Sequence, residues 1–247
     1  MEKQDFDPRL SQLSTEWDLI FQAHRGTPEQ VGAAQVELLS RYGGAVHRYL
    51  LAALHDPEAV AELDQEFALR FLRGDFRRAD PERGRFRDFL KQAMRNLMID
   101  YRRRANVRPR PMGDDIPETT APVDEDFDRR FLASWRSELM SRAWAALERL
   151  QERTGQPYHT VLWLRVEHPE MHSPEMAERI STVLGRPVSA GGLRMALKRS
   201  RNRFVEFLLG EVAGSLRSPG ADELEQELID LKLLEYCRPA MKRFELF

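Results

Sequence analysis

Cysteine is nearly missing: Cys237 is the only one among 247 residues. A lone thiol excludes an internal disulfide and any zinc site built from cysteine pairs. Long apolar runs are missing as well. The longest, such as Leu50 to Leu54, fall far short of the roughly 20 residues that span a bilayer, so no membrane partner is expected. Residues 1–14 are polar and acidic, without an apolar stretch or cleavage signal. They read as a disordered N-terminus and not as a secretion signal, and a cytoplasmic protein is the simplest expectation. Strand signals are almost absent. No glycine-rich phosphate loop and no nucleophile elbow occurs. Asp and Glu are so frequent that carboxylate pairs arise by chance and carry no weight. His168 and His172 have an i, i+4 spacing that suits a metal on a helix, but Pro169 between them breaks the helix and points to a surface turn. The expectation is therefore no enzyme, with no catalytic residue, no metal and no cofactor.

Charge is present in abundance but is unevenly placed. The formal net charge is −2, which by itself argues against a nucleic-acid partner. The distribution argues the other way. From Arg70 to Arg110 basic residues outnumber acidic ones, with Arg102, Arg103 and Arg104 together. From Asp114 to Asp128 the chain is acidic. Arg194, Lys198, Arg199, Arg201 and Arg203 then occur with no acid among them, and from Asp222 the chain turns acidic again. Two basic surfaces, joined and followed by acidic segments, fit nucleic acid better than an even solvated surface does.

Apolar residues recur at helical spacing along most of the chain, as in Leu63, Phe67 and Phe71, then Phe86, Phe89, Leu90, Met94, Leu97 and Met98. The expected fold is all-α. Two small helical domains, at 15–108 and 126–213, are joined by an acidic, proline-rich linker at 109–125 and followed by an extension at 214–247. In the first domain Thr15 is placed to cap a helix to Arg25. A break at Gly26-Thr27-Pro28 precedes a long helix to Leu54. Pro57 opens the next helix, to about Arg73, and a last helix runs from Arg85 to about Arg104. In the second domain helices are expected at Asp126–Arg153 and Tyr158–Val166. Another begins at Ser173-Pro174-Glu175, with Ser173 as cap, and ends at Leu184-Gly185. Ser189 is placed to cap a final helix to about Leu209. Two short helices around a glycine turn, the second one basic, read as a helix-turn-helix. Its buried face would be Leu193, Ala196, Leu197, Phe204 and Leu208. Gly191 and Gly192 fit poorly in its first turn, since each costs about 1 kcal/mol against alanine inside a helix.

The segment from Asp80 to Arg104 mixes aromatics and arginines near a loop, a combination that suits unpaired DNA bases. Phe86 and Phe89 also fit the buried face with Leu90 and Leu97, so at least one of them is expected in the core. Asp80-Pro81-Glu82-Arg83-Gly84-Arg85-Phe86-Arg87 and Ala93-Met94-Arg95-Asn96-Leu97-Met98-Ile99-Asp100 resemble the second region of extracytoplasmic-function (ECF) sigma factors of bacterial RNA polymerase. Phe89 stands where that family commonly has tryptophan. Glu62-Leu63-Asp64-Gln65-Glu66 resembles the polymerase-binding helix of the same region. Ser173 to Glu178 and Leu197 to Phe204 resemble the helix-turn-helix of the fourth region, although Gly192 replaces a frequent threonine and the turn from Gly185 to Ser189 is long.

The resemblance implies a sigma factor that binds core RNA polymerase and directs promoter recognition and opening. Polymerase binding would fall to Glu62, Asp64, Gln65, Glu66 and Arg70. The minus-ten element would meet Arg83, Arg85, Phe86, Phe89, Arg95, Asn96, Arg102 and Arg103. The minus-thirty-five element would meet Ser189, Arg194, Lys198, Arg199 and Arg201. An anti-sigma or other regulatory protein is a further partner the resemblance allows. The rival reading is a helical DNA-binding adaptor that does not bind core polymerase.

The tail has two readings. Gly214 to Gly220 reads as a hinge, and Asp222 with Glu225 as a capping box. Leu224, Leu228, Leu231 and Leu234 then mark an acidic amphipathic helix of about four turns. It either extends the core of the second domain or docks as a lid over the basic helix from Arg194 to Arg203.

Overall fold

The computed structural model describes residues 16–78, 85–107, 123–216 and 220–241. Among them every regular element is a helix: α1 Glu16–Gln22, α2 Pro28–Leu54, α3 Pro57–Arg73, a 3-10 turn at Asp75–Arg78, α4 Phe86–Val107, α5 Val123–Thr154, α6 Tyr158–Glu167, α7 Ser173–Leu184, α8 Ala190–Gly214, α9 Ala221–Asp230 and α10 Leu234–Met241. The all-α expectation holds. Thr15 and the linker residues 108–122 lie outside the described residues.

Local signals set most of the helix ends. Thr27 and Gln30 form a reciprocal capping box at the start of α2. Asp56 accepts from the amides of Glu58 and Ala59 at the start of α3, with Pro57 in the first turn, and Gly74 ends α3 in a left-handed conformation at φ 91°. Gly185, at φ 63°, ends α7 in the same way. The Ser173 cap is not formed. Ser173 is already helical, the capping position is His172, and no side chain bonds there. His168 and His172 fall at the ends of two different helices.

Contacts divide the chain into two compact units. One takes in the described residues up to Glu138, together with Gly214–Leu216; the other takes in Leu139–Ala213 and those from Gly220. The first unit buries Leu38, Tyr42, Val46 and Tyr49 of α2, Leu63, Phe67 and Phe71 of α3, and Phe86, Leu90, Met94 and Leu97 of α4. The opening turns of α5 complete it. The sequence reading assigns residues from 126 onward to the second domain, whereas in the structure Phe127, Phe131 and Trp135 are buried within the first unit. Trp135 stacks on Tyr42 at 5.4 Å and 2°, and Phe127 meets Tyr49 edge-on at 5.0 Å. Arg130 donates to the Ala52 carbonyl at 2.8 Å, Lys91 pairs with Asp128 at 3.3 Å, and Arg48 bonds Glu138. Gly44 makes room for this last pair, because a Cβ there would lie 2.8 Å from a Glu138 carboxylate oxygen.

In the second unit Leu139, Ala143 and Leu147 carry the buried stripe onward along α5. Trp144 packs on Phe204 of α8 at 4.8 Å, and Arg142 pairs with Glu211 at 3.4 Å. Gln151 holds α6 by two hydrogen bonds: its Nε2 donates to Thr160 Oγ1 and its Oε1 accepts from the Thr160 amide, both at 2.9 Å.

The tail departs from the single four-turn helix. It forms two short helices, broken at Leu231-Lys232, where Lys232 takes φ 57°. The start of α9 has no side-chain cap, so the Asp222–Glu225 box is absent. Leu224, Leu228, Leu231, Cys237 and Met241 are all buried, and Tyr236 meets Phe204 at 6.2 Å. Ser215 and Leu216, expected in a hinge, are buried as well. The tail extends a core, and Arg194, Lys198, Arg199 and Arg201 stay exposed, which is not the arrangement of a lid.

Candidate nucleic-acid interface

Three surfaces carry the residues singled out in the sequence. The first is on α3. Leu63, Phe67 and Phe71 turn inward, which leaves Glu62, Gln65, Leu69 and Leu72 exposed along one outer stripe. Asp64 and Glu66 are half-buried and engaged. His47 Nδ1 lies 2.6 Å from Asp64 Oδ2. Arg70 donates to Glu66 at 2.8 Å and across to Asp100 of α4, also at 2.8 Å. Burial opposes the Arg70 charge, yet the bonds to Glu66 and Asp100 outweigh it and raise its pKa. Glu66 and Arg70 thus fasten α3 to α4. The free part of the predicted docking set is Glu62 and Gln65, with the exposed Leu69 and Leu72 beside them. The sequence reading missed those two leucines, although their spacing from Glu62 and Gln65 marks the outer face.

The second surface is on α4. Phe86 is 2% exposed. It contacts Tyr42 at 4.7 Å and meets Trp17 edge-on at 5.9 Å. That burial removes it from the set available to a DNA base, a correction that follows from α1 and α5 covering it. Phe89 is half-buried, against Phe76 at 5.3 Å. Arg85 is half-buried too, and Arg83 lies outside the described residues. Arg95 is half-buried with its guanidinium 5.3 Å from the Phe127 ring centre, a cation–π contact within the unit. Asn96, Arg102 and Arg103 are exposed. Asn96 accepts from Gln92 at 3.0 Å. Gln92, Asn96, Ile99 and Arg103 follow at i, i+4, i+7 and i+11, so they form one stripe along the helix. Ile99 is 54% exposed, large for an isoleucine with nothing over it. Gln92 and Ile99 were not singled out from the sequence, though the same spacing would have found them.

The third surface lies on α7, α8 and the turn between them. Val161, Met176, Ala177, Ile180, Leu193 and Leu197 form the core beneath it. Ser189 Oγ accepts from the Gly192 amide at 3.1 Å, so the expected cap is formed. Its hydroxyl is therefore engaged with its own helix. Gly192 has a local cause: a Cβ there would come within 3.3 Å of Ser189 Oγ. The long turn is held by Ser181, whose hydroxyl accepts from Val188 N at 2.8 Å. Arg194, Lys198 and Arg201 are exposed at i, i+4 and i+7, and Arg199 is exposed beside them. None of the four makes an ion pair among the described residues, whereas Arg203 is tied to Glu206 at 2.7 Å. An unpaired basic row of this kind on the second helix suits the phosphates and base edges of a major groove.

Residues 38–108 match the family model for sigma-70 region 2. The matched span takes in most of α2 and all of α3 and α4, and so holds both the α3 stripe and the α4 stripe. The match covers less than a third of the chain, and over that span the chain is similar to region 2 of sigma-70 family sigma factors. Comparison with curated proteins and with solved structures gave no match.

Proposed function

We propose that the chain is an ECF-type sigma factor that binds core RNA polymerase through α3, opens promoters through α4 and reads an upstream element through α8. The observation that carries this reading is the pairing of surfaces. A matched region 2 with two exposed helical stripes is followed in the chain by a helix-turn-helix whose second helix bears an unpaired basic row. On α3 the docking residues are Glu62 and Gln65, flanked by Leu69 and Leu72. Asp64 and Glu66 shape that surface through their bonds to His47 and Arg70.

On α4 the DNA surface is Gln92, Asn96 and Ile99 with Arg102 and Arg103. Arginines there hold backbone phosphates, while amide and apolar side chains meet exposed bases. Capture of unpaired bases contributes free energy only once the duplex is open, and so favours opening. On α8, Arg194, Lys198, Arg199 and Arg201 meet the upstream duplex. Joining two weak readers in one chain raises their joint affinity through effective concentration.

The test is co-purification with core polymerase. Wild-type chain should be retained by immobilised core enzyme, and the double variant Glu62→Lys, Gln65→Lys should be lost at unchanged helical content. Failure of the wild-type chain to bind core would favour a DNA-binding adaptor that acts without polymerase.

A further inference from the structure

A cleft of about 280 Å³ opens in the second unit, beside the turn between α7 and α8. Val161, Ile180, Leu193 and Ala196 give it an apolar floor, with Pro157 and Tyr158 along one side. Arg186 and Arg199 stand on its lining; both are exposed, and neither has an ion-pair partner among the described residues. No carboxylate is among the described residues that line it. Ser200 also lines the cleft. Ser200 is 1% exposed, and its hydroxyl has no hydrogen-bond partner among the described residues. Leaving a buried hydroxyl unsatisfied costs about 1–3 kcal/mol, a cost that a polar occupant reaching this wall would relieve. An apolar floor with a few polar groups around it is the make-up of a small-molecule site.

We propose that this cleft binds a small organic anion: an apolar body on the floor, its carboxylate or phosphate held between Arg186 and Arg199, and a polar atom bonded to Ser200. Two guanidiniums with no competing acid select for negative charge, and the floor selects against a bare inorganic ion. Arg199 also belongs to the proposed DNA surface, so an occupied cleft and upstream DNA compete for it. That consequence rests on the DNA reading; the site does not.

The probe is octanoate, with octanol and octylammonium as matched controls, titrated into the full-length chain and followed by backbone amide shifts. Octanoate should give saturable shifts in residues 157–161 and 184–200. Loss of one charge-assisted contact is expected to cost about tenfold in affinity, so octanol, which loses both, should bind about a hundredfold more weakly, and octylammonium not at all. Arg186→Gln lies on the surface and outside the proposed DNA row; it should weaken octanoate about tenfold, leaving it tighter than octanol through the contact to Arg199. Ser200→Ala should weaken octanoate and leave the chain at least as stable. Absence of saturable shifts, shifts elsewhere, or equal affinities for octanoate and octanol would each overturn the site. None of these measurements contains DNA or polymerase, so they fail or succeed apart from the transcriptional reading. With the site established, octanoate should also weaken upstream DNA binding by the wild-type chain.

Discussion

Replacing Phe86 with alanine separates a core role from a DNA role at the position where the sequence leaves both open. The side chain is 2% exposed. It lies 4.7 Å from Tyr42, 5.9 Å from Trp17, 6.3 Å from Trp135 and 6.4 Å from Phe89, ring centre to ring centre. Removing a ring from such a site costs about 3–5 kcal/mol, including the cavity left behind. That is a large part of the about 5–15 kcal/mol that holds a typical domain. With a urea dependence of about 2 kcal/mol per molar, the midpoint should fall by about 2 M. Phe86→Leu keeps most of the volume and should cost only about 1 kcal/mol. Tryptophan fluorescence reads the change locally, because Trp17 and Trp135 belong to the same unit as Phe86. Trp144 and Trp163 belong to the other, so their replacement by phenylalanine isolates the signal. An alanine variant that unfolds like the parent, yet fails to melt promoter DNA, would refute the inference that burial keeps Phe86 from the bases.

Three further outcomes follow from single contacts. Ser189→Ala should lower stability by about 1 kcal/mol through loss of the α8 cap, and Ser189→Asp should restore it, as read from thermal melting. Arg70→Met strands Glu66 and Asp100. The site is only partly buried, so the expected cost is about 1 kcal/mol, and a cycle with Asp100→Asn should show the coupling. Burial pushes the Cys237 thiol up to about 12. It should therefore resist thiol reagents at pH 8 until the chain unfolds. Because the unfolded chain releases this proton first, stability should decline as pH rises from the ordinary thiol range toward 12, and Cys237→Ala should lack that component.

Much of the fold is written in local chemistry. Thr27, Asp56, Gly74, Gly185 and Ser189 mark helix ends by side-chain caps or left-handed backbone, signals that act within four residues and so are visible in sequence. What is not visible depends on distant partners. The period of α5 runs unbroken through Trp135, Leu139 and Leu147, so nothing local says that its first turns pack with α2 and the rest with α8. Lys232 at φ 57° splits the tail, in a conformation its sequence does not advertise. On the candidate surfaces, residue type found the basic row of α8. It did not show that Arg70 and Glu66 face each other and Asp100, nor that Phe86 lies under α1 and α5, because each is a contact across elements. Ile99, Leu69 and Leu72 continue the outer stripes at helical spacing, but their apolar type does not mark them as surface residues, whereas their exposure in the fold does.

The proposed function is that this chain gives core polymerase promoter specificity. The most direct measurement is transcription from fragmented genomic DNA of the source organism by its purified core polymerase, with and without the chain, mapping the 5′ ends of the RNA. Addition of the chain should produce discrete start sites that share an upstream sequence, and Arg194→Ala, Lys198→Ala should remove them. Start sites unchanged by the chain, with the chain stably bound to DNA but not to polymerase, would contradict the account.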